Sequence, residues 1–307
     1  RIRQVLTLML PVTIGLGVIN FDLLINSSLG TLVSTGAPRA IDAAFRIYML
    51  PQGMFSVAVA TVLFPTLSRF AARRDLDGLR ATMATGTRQI FLLLIPAAAL
   101  TLALAEPITR LVYQRGAFTG HSTHDTATAL FWFSFSLPFA GANLLLTRTF
   151  FSLQRPWVPT ALAAANLVVN AILSVALYKP LGIAGLVIGT AVASAGMTIT
   201  QGIYLRRELH GRLDGRETIA TVVAMTGAAM LMGVVAYLVW WGLDAALGRS
   251  LPAEIVTVGG GICAGLALYG YAVHHMAIPE ARQIQERVGA RLARARAQRA
   301  ASPNGAG

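Results

Sequence analysis

Long apolar runs alternate with short polar segments along most of the chain. Most of these runs approach the roughly 20 residues with which an α-helix crosses a hydrocarbon core of about 30 Å. The pattern predicts eight membrane-spanning helices, at residues 5–33, 40–67, 89–105, 127–147, 157–178, 182–205, 218–243 and 255–278. The first of them is the least regular, because Asp22 interrupts it.

Composition supports this interpretation. Of the 307 residues, 55% are hydrophobic and 12% are charged, which is about half the charged fraction of an ordinary soluble domain. The mean hydropathy is +0.63. The sequence therefore predicts an all-α polytopic membrane protein.

Basic residues predict the orientation, because short cytoplasmic loops carry the excess of Lys and Arg. One side would hold both chain ends and the loops that contain Arg1, Arg3, Arg69, Arg73, Arg74, Arg80, Arg148, Arg155, Arg206, Arg207, Arg212 and Arg216. The other side would hold Arg39, Arg110, Arg115, Lys179 and Arg249. Both termini are therefore expected in the cytoplasm.

The net charge of +12 does not indicate nucleic-acid binding, since these charges lie in short loops and not in a basic groove with interleaved aromatic residues. The tail at 280–307 is the most basic segment. Its apolar Ile284, Val288 and Leu292 recur every four residues, as in a helix on an anionic leaflet. A solvated tail that keeps the C-terminus in the cytoplasm explains it equally well.

No pattern of catalytic or metal-binding residues stands out, so we expect a protein that is not an enzyme and has no metal centre. His121, His124 and Asp125 lie close together in the segment GHSTHDT. A zinc or acid-base role would need further ligands nearby. The segment directly precedes an apolar run, so we interpret it as the start of a helix.

Arg46 is the notable charge, because it lies in the second predicted span. An ionised residue at the centre of a span costs about 2.5–3.5 kcal/mol on insertion scales, and such residues usually face a partner or a polar cavity. Asp42 lies four positions earlier, so the two can form an i,i+4 ion pair. A structural ion pair and a functional cavity charge both remain open on these residues alone.

Further polar residues favour a polar interior. Asp22 and Asn26 are four residues apart in the first predicted span, where Asn20 precedes them, and Asn166 and Asn170 repeat the spacing in the fifth. Asn can bridge helices in a dry bundle. A dry bundle does not need this many buried polar groups, however, whereas a water-filled, charged interior does. That interior indicates transport.

Three segments of the chain carry recognisable motifs. They are GAPRAIDAAFRIYMLPQGMFSVAVATVLFPTLSR, LVYQRGAFT and RTFFSLQRPWVPT. They resemble three motifs of the MurJ (MviN) lipid II flippase family of the MOP exporter superfamily. In that family the first corresponds to the seventh-to-eighth helix region with its GVALGTVLLPSLS, the second to LLFERGAFT after the ninth helix, and the third to RAFYALGDTKTP at the end of the tenth. The order and spacing match nearly the whole chain up to its tail.

The resemblance implies a two-lobe transporter in which this chain corresponds to the C-terminal portion, helices seven to fourteen. Residues 1–210 would form the second six-helix lobe, 211–279 two additional helices, and 280–307 a basic cytoplasmic tail. The N-terminal lobe would be missing from this chain, which we interpret as a fragment of a longer polypeptide. The expected location is the bacterial inner (plasma) membrane.

The family's mechanism implies that lipid II is flipped by alternating access, with its pyrophosphate-sugar head group in a cationic cavity and its tail among membrane lipids. Arg46 matches the cavity arginine of the eighth helix, and a guanidinium suits bidentate contact with pyrophosphate. Asp42 would hold Arg46 until substrate arrives. Asp22 is the other main intramembrane acid and a further candidate.

Some members of the family have a sodium site that contains two carboxylates. By position it matches Asn26, Asn166 and Asn170, with Thr190 a weaker match. Amides stand where the acids would be, so we do not expect a tightly held Na⁺. Coupling to the membrane potential is the alternative.

Two other functions stay open. A related exporter of the superfamily, moving drugs or other polyprenyl-linked sugars, would share the architecture but lack the RGAFT and FFSLQ matches. A non-transporting membrane scaffold, whose tail recruits cytoplasmic partners, would fit a chain that exists without the first lobe.

Overall fold

A computed structural model describes residues 10, 13–14, 17, 24–116, 118–209, 215–248 and 250–276, and every regular element within them is helical. Gln52–Val57 form a π-helical turn between the second and third helices. The helices are α1 (Leu24–Val33), α2 (Ala37–Pro51), α3 (Ala58–Ala72), α4 (Leu76–Ala103), α5 (Ala105–Tyr113), α6 (Gly120–Ser152), α7 (Trp157–Leu181), α8 (Ile183–Glu208), α9 (Gly215–Leu247) and α10 (Leu251–His275).

Seven segments of the described chain are long and apolar enough to cross a membrane. They overlap the second to eighth predicted spans, so the all-α polytopic fold class is confirmed. The first predicted span lies mostly outside the described residues, and its described end is α1. The tail at 280–307 also lies outside them, and the proposed domain boundaries stay predictions.

Local capping explains where several helices begin and end. α3 and α6 are followed by Arg74 and Gln154 with φ of 56° and 57°. In both places the next amide donates to the carbonyl five residues earlier at 3.0 Å, which closes the last turn of the helix. Asp75 then caps α4 through its side chain, and Thr119 caps α6. The histidine-containing segment therefore begins a helix, as the sequence indicated.

α6 is the central helix of the larger core, where it packs against α2, α3, α4, α5 and α8. Its buried side chains include Leu130, Leu137 and Phe150. α7 packs mainly on α8. These two approach closely at Gly189, where an added Cβ would lie 2.9 Å from the Ser174 hydroxyl oxygen. Small residues matter here because lipid is as apolar as the helix surfaces, so helix association depends on close packing.

A second, smaller core joins α9 and α10 to α4. Met232 and Ala236 of α9 pack there with Leu100 of α4. The Tyr269 hydroxyl of α10 donates to the Leu92 carbonyl of α4 at 3.1 Å. At Gly261 an added Cβ would lie 2.8 Å from the Ala236 carbonyl oxygen. The last two helices therefore form a closely packed pair on the side of α4.

A buried ion triad completes this junction. Arg110 of α5 contacts Asp244 of α9 at 2.8 Å and Glu254 of α10 at 2.9 Å, and the three side chains are only 12–15% exposed. The guanidinium also lies 5.8 Å from the centre of the Trp240 ring. One cation thus ties three helices together, and removing it would leave two carboxylates facing each other away from water.

We expect Arg110→Ala to lower the free energy of unfolding by about 3–5 kcal/mol, because the two buried carboxylates lose their partner. Arg46→Ala provides the comparison, since the Asp42–Arg46 side chains are 61–70% exposed and exposed pairs contribute about 1 kcal/mol or less. Denaturant or thermal unfolding in detergent measures both. Equal losses in the two variants would contradict the structural role of the triad.

Candidate substrate-binding site

The candidate site begins with the two faces of α2. Its buried residues recur every three or four positions, which is the period of a helix with one packed side. They are Ala37, Ala40, Ala43, Ala44, Ile47 and Tyr48. Asp42 and Arg46 lie on the other side, where their side chains are 61% and 70% exposed. The helix therefore presents a charged face and packs its apolar face inside the lobe.

Aromatic contacts fix α2 against α6. The rings of Phe45 and Tyr48 each lie close to Phe133, at centroid distances of 5.7 and 5.4 Å. The hydroxyls of Tyr48 and Ser136 are 3.2 Å apart in the buried interface. On the side of α5, the Tyr113 hydroxyl donates to the Ala43 carbonyl at 3.3 Å. The α2 backbone at Arg46 is thus held in place by contacts with two helices, α6 and α5.

The ion pair proposed from the sequence is present. The Arg46 Nε donates to Asp42 Oδ2 at 2.9 Å. No other described side chain accepts from the two terminal nitrogens of Arg46, so they are available to a further acceptor. The geometry suits an anion with two adjacent oxygen atoms, because the two terminal N–H groups can contact both of them together.

A break in helix geometry follows directly after this face. Pro51 has no N–H, so the Ile47 carbonyl loses its usual donor. The chain continues through the π-helical turn Gln52–Val57, and an added Cβ at Gly141 of α6 would lie 2.8 Å from the Ser56 hydroxyl oxygen in that turn. Single π-helical turns are frequent at functional sites, and this one separates the charged segment of the span from its apolar continuation.

The amide residues proposed for a cation are only partly brought together. The Asn170 side-chain oxygen accepts from the Ser174 hydroxyl at 3.2 Å and from the Thr190 hydroxyl at 3.4 Å. Asn166 lies one turn away on α7, and its buried side-chain oxygen has no hydrogen-bond partner among the described residues. Asn26 is half-buried on α1, and Asp22 lies outside the described residues. Ser174 was not anticipated from the sequence.

The donor chemistry of this cluster does not fit a tightly held cation. A hard cation prefers several oxygen ligands, usually including carboxylates. Here the Asn170 oxygen already accepts two hydroxyl donors, from Ser174 and Thr190, which carry no charge. Among the described residues the cluster forms a hydrogen-bonded contact between α7 and α8, and its assignment as a cation site stays a prediction.

Two arginines assigned to a cytoplasmic loop have specific contacts in the structure. Arg148 lies within α6, where it donates to the Thr61 hydroxyl at 3.4 Å and lies 5.9 Å from the centre of the Phe64 ring. Its placement in a loop was wrong, because α6 continues to Ser152. Arg155 does follow α6, and it pairs with Glu208 at the end of α8. Hydropathy alone gave no signal for either contact.

Comparison with known proteins identifies the family. Residues 1–247 match the family model described as lipid II flippase MurJ. A probable lipid II flippase MurJ of Bdellovibrio bacteriovorus is 30% identical over 275 residues, which cover 89% of this chain and 51% of that protein. The corresponding protein of Rhizobium meliloti is 29% identical over 273 residues, which cover 88% and 50%. The chain thus spans about half the length of these curated relatives.

Solved structures show the same fold. A lipid II flippase MurJ in an inward closed conformation superimposes with a TM-score of 0.62 at 22% identity, covering 84% of this chain and 53% of that one. A MOP superfamily transporter from Pyrococcus furiosus gives a TM-score of 0.60 at 12% identity, covering 88% and 64%. The family match extends over most of the chain, to the last residue of α9, and on that match the chain belongs to the MurJ family of lipid II flippases.

Proposed function

We propose that this chain forms the second lobe and the two additional helices of a lipid II flippase. The transporter would move the lipid-linked peptidoglycan precursor from the cytoplasmic to the outer leaflet by alternating access between two lobes. Membership of the family and the relatives' shared description support this proposal. Such movement makes and breaks no covalent bond, so we assign transport and not catalysis to the chain.

The exposed guanidinium of Arg46 is the observation that carries the proposal. It lies on a firmly packed helix, and one of its nitrogens donates to Asp42. In the proposed complex the terminal nitrogens contact the pyrophosphate of lipid II, and the first lobe of the family faces α2 across the cavity. The two lobes of such transporters bind substrate at their interface.

Asp42 has a separate role in this proposal. A carboxylate that accepts from Nε holds the guanidinium in one orientation and also competes with an incoming anion. The pair is exposed, so it contributes little stability and is cheap to open. We therefore assign Asp42 as an internal counter-ion that substrate replaces, which links binding to release.

Native mass spectrometry of the detergent-purified chain tests this arrangement with lipid II, undecaprenyl phosphate and phosphatidylglycerol. We expect selective binding of lipid II, weakened about tenfold by Arg46→Ala, because a charge-assisted contact to the pyrophosphate is lost. Asp42→Asn keeps the guanidinium and removes its competitor, so binding should persist and dissociation should slow.

Arg115→Ala is the matched control, since Arg115 is an exposed arginine on the same predicted side of the membrane and should leave lipid II binding unchanged. Equal and weak binding of all three lipids by every variant would contradict the assignment of Arg46. In that case the Asp42–Arg46 pair would be a surface ion pair only.

The two alternatives receive less support. A related exporter of other polyprenyl-linked sugars or of drugs would share the MOP fold, which the Pyrococcus furiosus transporter also has. The family match is to MurJ, however, and it covers α2 and its charged face. A scaffold without transport would not need the exposed pair of Asp42 and Arg46, whose removal would then leave lipid binding unaffected.

We further propose that the cycle does not depend on a tightly bound Na⁺. Asn166 and Asn170 carry amides where a hard cation usually has carboxylates, and the Asn170 oxygen already accepts from Ser174 and Thr190. Replacing NaCl by choline chloride should leave the unfolding temperature of the chain unchanged. The double variant Asn166→Asp/Asn170→Asp restores two carboxylates and should gain stability with Na⁺, since a ligand that binds the folded state stabilises it. A Na⁺-dependent unfolding temperature of the unmodified chain would contradict this proposal.

The proposed location is the bacterial inner membrane with both termini in the cytoplasm, as the distribution of basic residues indicates. Single cysteines at exposed Arg73 and Arg115 should differ in labelling by a membrane-impermeant maleimide, in a chain that carries Cys263→Ser because Cys263 is exposed. In intact spheroplasts Arg115→Cys should react and Arg73→Cys should react only after lysis. The reverse pattern would invert the proposed orientation.

A further inference from the structure

A cavity whose lining includes no residue of α2 is not used by the proposed transport function. It lies between α4, α5, α6 and α9 and has a volume of about 280 Å³. Its lining residues include Glu106, His124, Phe131, Tyr237 and Trp240. Neither Asp42 nor Arg46 lines it. It is smaller than most drug-sized pockets, which begin at about 300 Å³, and suits a small polar group.

A helix break creates the cavity. α4 ends at Ala103 and α5 begins at Ala105, and Leu104 between them has non-helical torsion angles of φ −111° and ψ 24°. Pro107 has no N–H, so the Ala103 carbonyl lacks the donor that a continuous helix would supply. Ala103 and Pro107 both line the cavity. Gly233 lets α9 approach the same segment, since an added Cβ there would lie 3.3 Å from the Ala99 carbonyl oxygen.

The lining favours a cation. Glu106 is a carboxylate with an exposed side chain, and the faces of Phe131 and Tyr237 can attract a positive charge. Trp240 already does so in this structure, because the Arg110 guanidinium lies 5.8 Å from its ring centre. His124 also lines the cavity, and Glu106 is the acidic side chain among the described lining residues.

An anion finds no matching charge there. Arg110 lies against the Trp240 ring, but it is already bound by Asp244 and Glu254. With one cation and two carboxylates, this triad adds a net negative charge next to the cavity. Within the described part of the chain, no Lys or Arg lines the cavity itself. A free phosphate or a purely anionic head group would therefore enter against the local electrostatic potential.

The position of the cavity suggests the source of the cation. It lies close to the start of α6 and in the second half of α9. The predicted spans and the distribution of basic residues place these segments near the outer surface of the membrane. We therefore expect the cavity to lie next to the lipid head groups of the outer leaflet.

We propose that this cavity binds an alkylammonium group, specifically the ammonium head group of a zwitterionic aminophospholipid in the outer leaflet. Glu106 and the aromatic rings contact the ammonium group, and the phosphodiester remains outside the cavity. The site does not depend on lipid II binding at Arg46, so it can be tested separately from the proposed transport function.

Native mass spectrometry of the 307-residue chain, titrated with phosphatidylethanolamine and with its N-acetylated form, tests the proposal. N-acetylation removes the positive charge and leaves the phosphodiester and the acyl chains in place. We expect phosphatidylethanolamine to bind about tenfold more tightly than the N-acetyl lipid, on the scale of a partly desolvated cation–aromatic contact. Glu106→Gln should abolish this preference, and Tyr237→Leu should reduce it.

Asp77→Asn is the matched control, because the Asp77 carboxylate is 92% exposed at the opposite end of α4; it should keep the preference. Unfolding curves of all variants show whether each is folded. Equal binding of the two lipids, or an unchanged preference in folded Glu106→Gln and Tyr237→Leu, would overturn the proposal. Displacement of the lipid by soluble tetramethylammonium would support recognition of small organic cations in general, and its failure would support recognition of the aminolipid head group.

Discussion

The cost of placing a charge away from water governs this structure. A charged side chain within a span must find a partner or face a polar space, and the chain uses both solutions. Arg110 is enclosed by Asp244 and Glu254 and is nearly buried. Arg46 has one partner and remains exposed. The number of carboxylates around each guanidinium therefore separates a structural charge from a charge that can bind a further group.

This difference also separates ion pairs that hold helices rigidly together from ion pairs that can open during function. The buried triad joins α5, α9 and α10, where breaking one partnership leaves an uncompensated charge at a cost of several kcal/mol. The exposed pair on α2 can open at a cost of about 1 kcal/mol or less. A transport cycle needs contacts of the second kind, since a bound anion must replace an internal partner and later be released. Packing of Tyr48 and Phe133 holds the backbone still while the side-chain contact changes.

Much of the fold could be predicted because lipid imposes a length on every apolar helix. The pairing of Asp42 with Arg46 could also be predicted, because a spacing of four residues along a helix brings two side chains together. The partners of Arg110 could not be predicted from the sequence. Asp244 is 134 residues away along the chain, and the packing of α9 against α4 is what brings it near. Arg148 was misplaced for a related reason: an arginine near the end of an apolar run looks like a loop residue until the helix is seen to continue. Ser174 likewise became part of the amide cluster only through the crossing of α7 and α8.

Two groups of helices have different roles in the lobe. α2 packs on α6, while α9 and α10 pack on each other and on α4. Changes at Arg46 would reach α9 and α10 chiefly through α6 and through the contact of the Tyr113 hydroxyl with the Ala43 carbonyl. The Arg110 triad lies next to that contact along α5, since Arg110 and Tyr113 are one turn apart on the same helix. The turn of α5 that contacts α2 is therefore itself fixed to α9 and α10 through two carboxylates. In this arrangement α9 and α10 support the lobe while the α2 backbone stays in place, and substrate exchange needs only the side-chain contact between Asp42 and Arg46 to open.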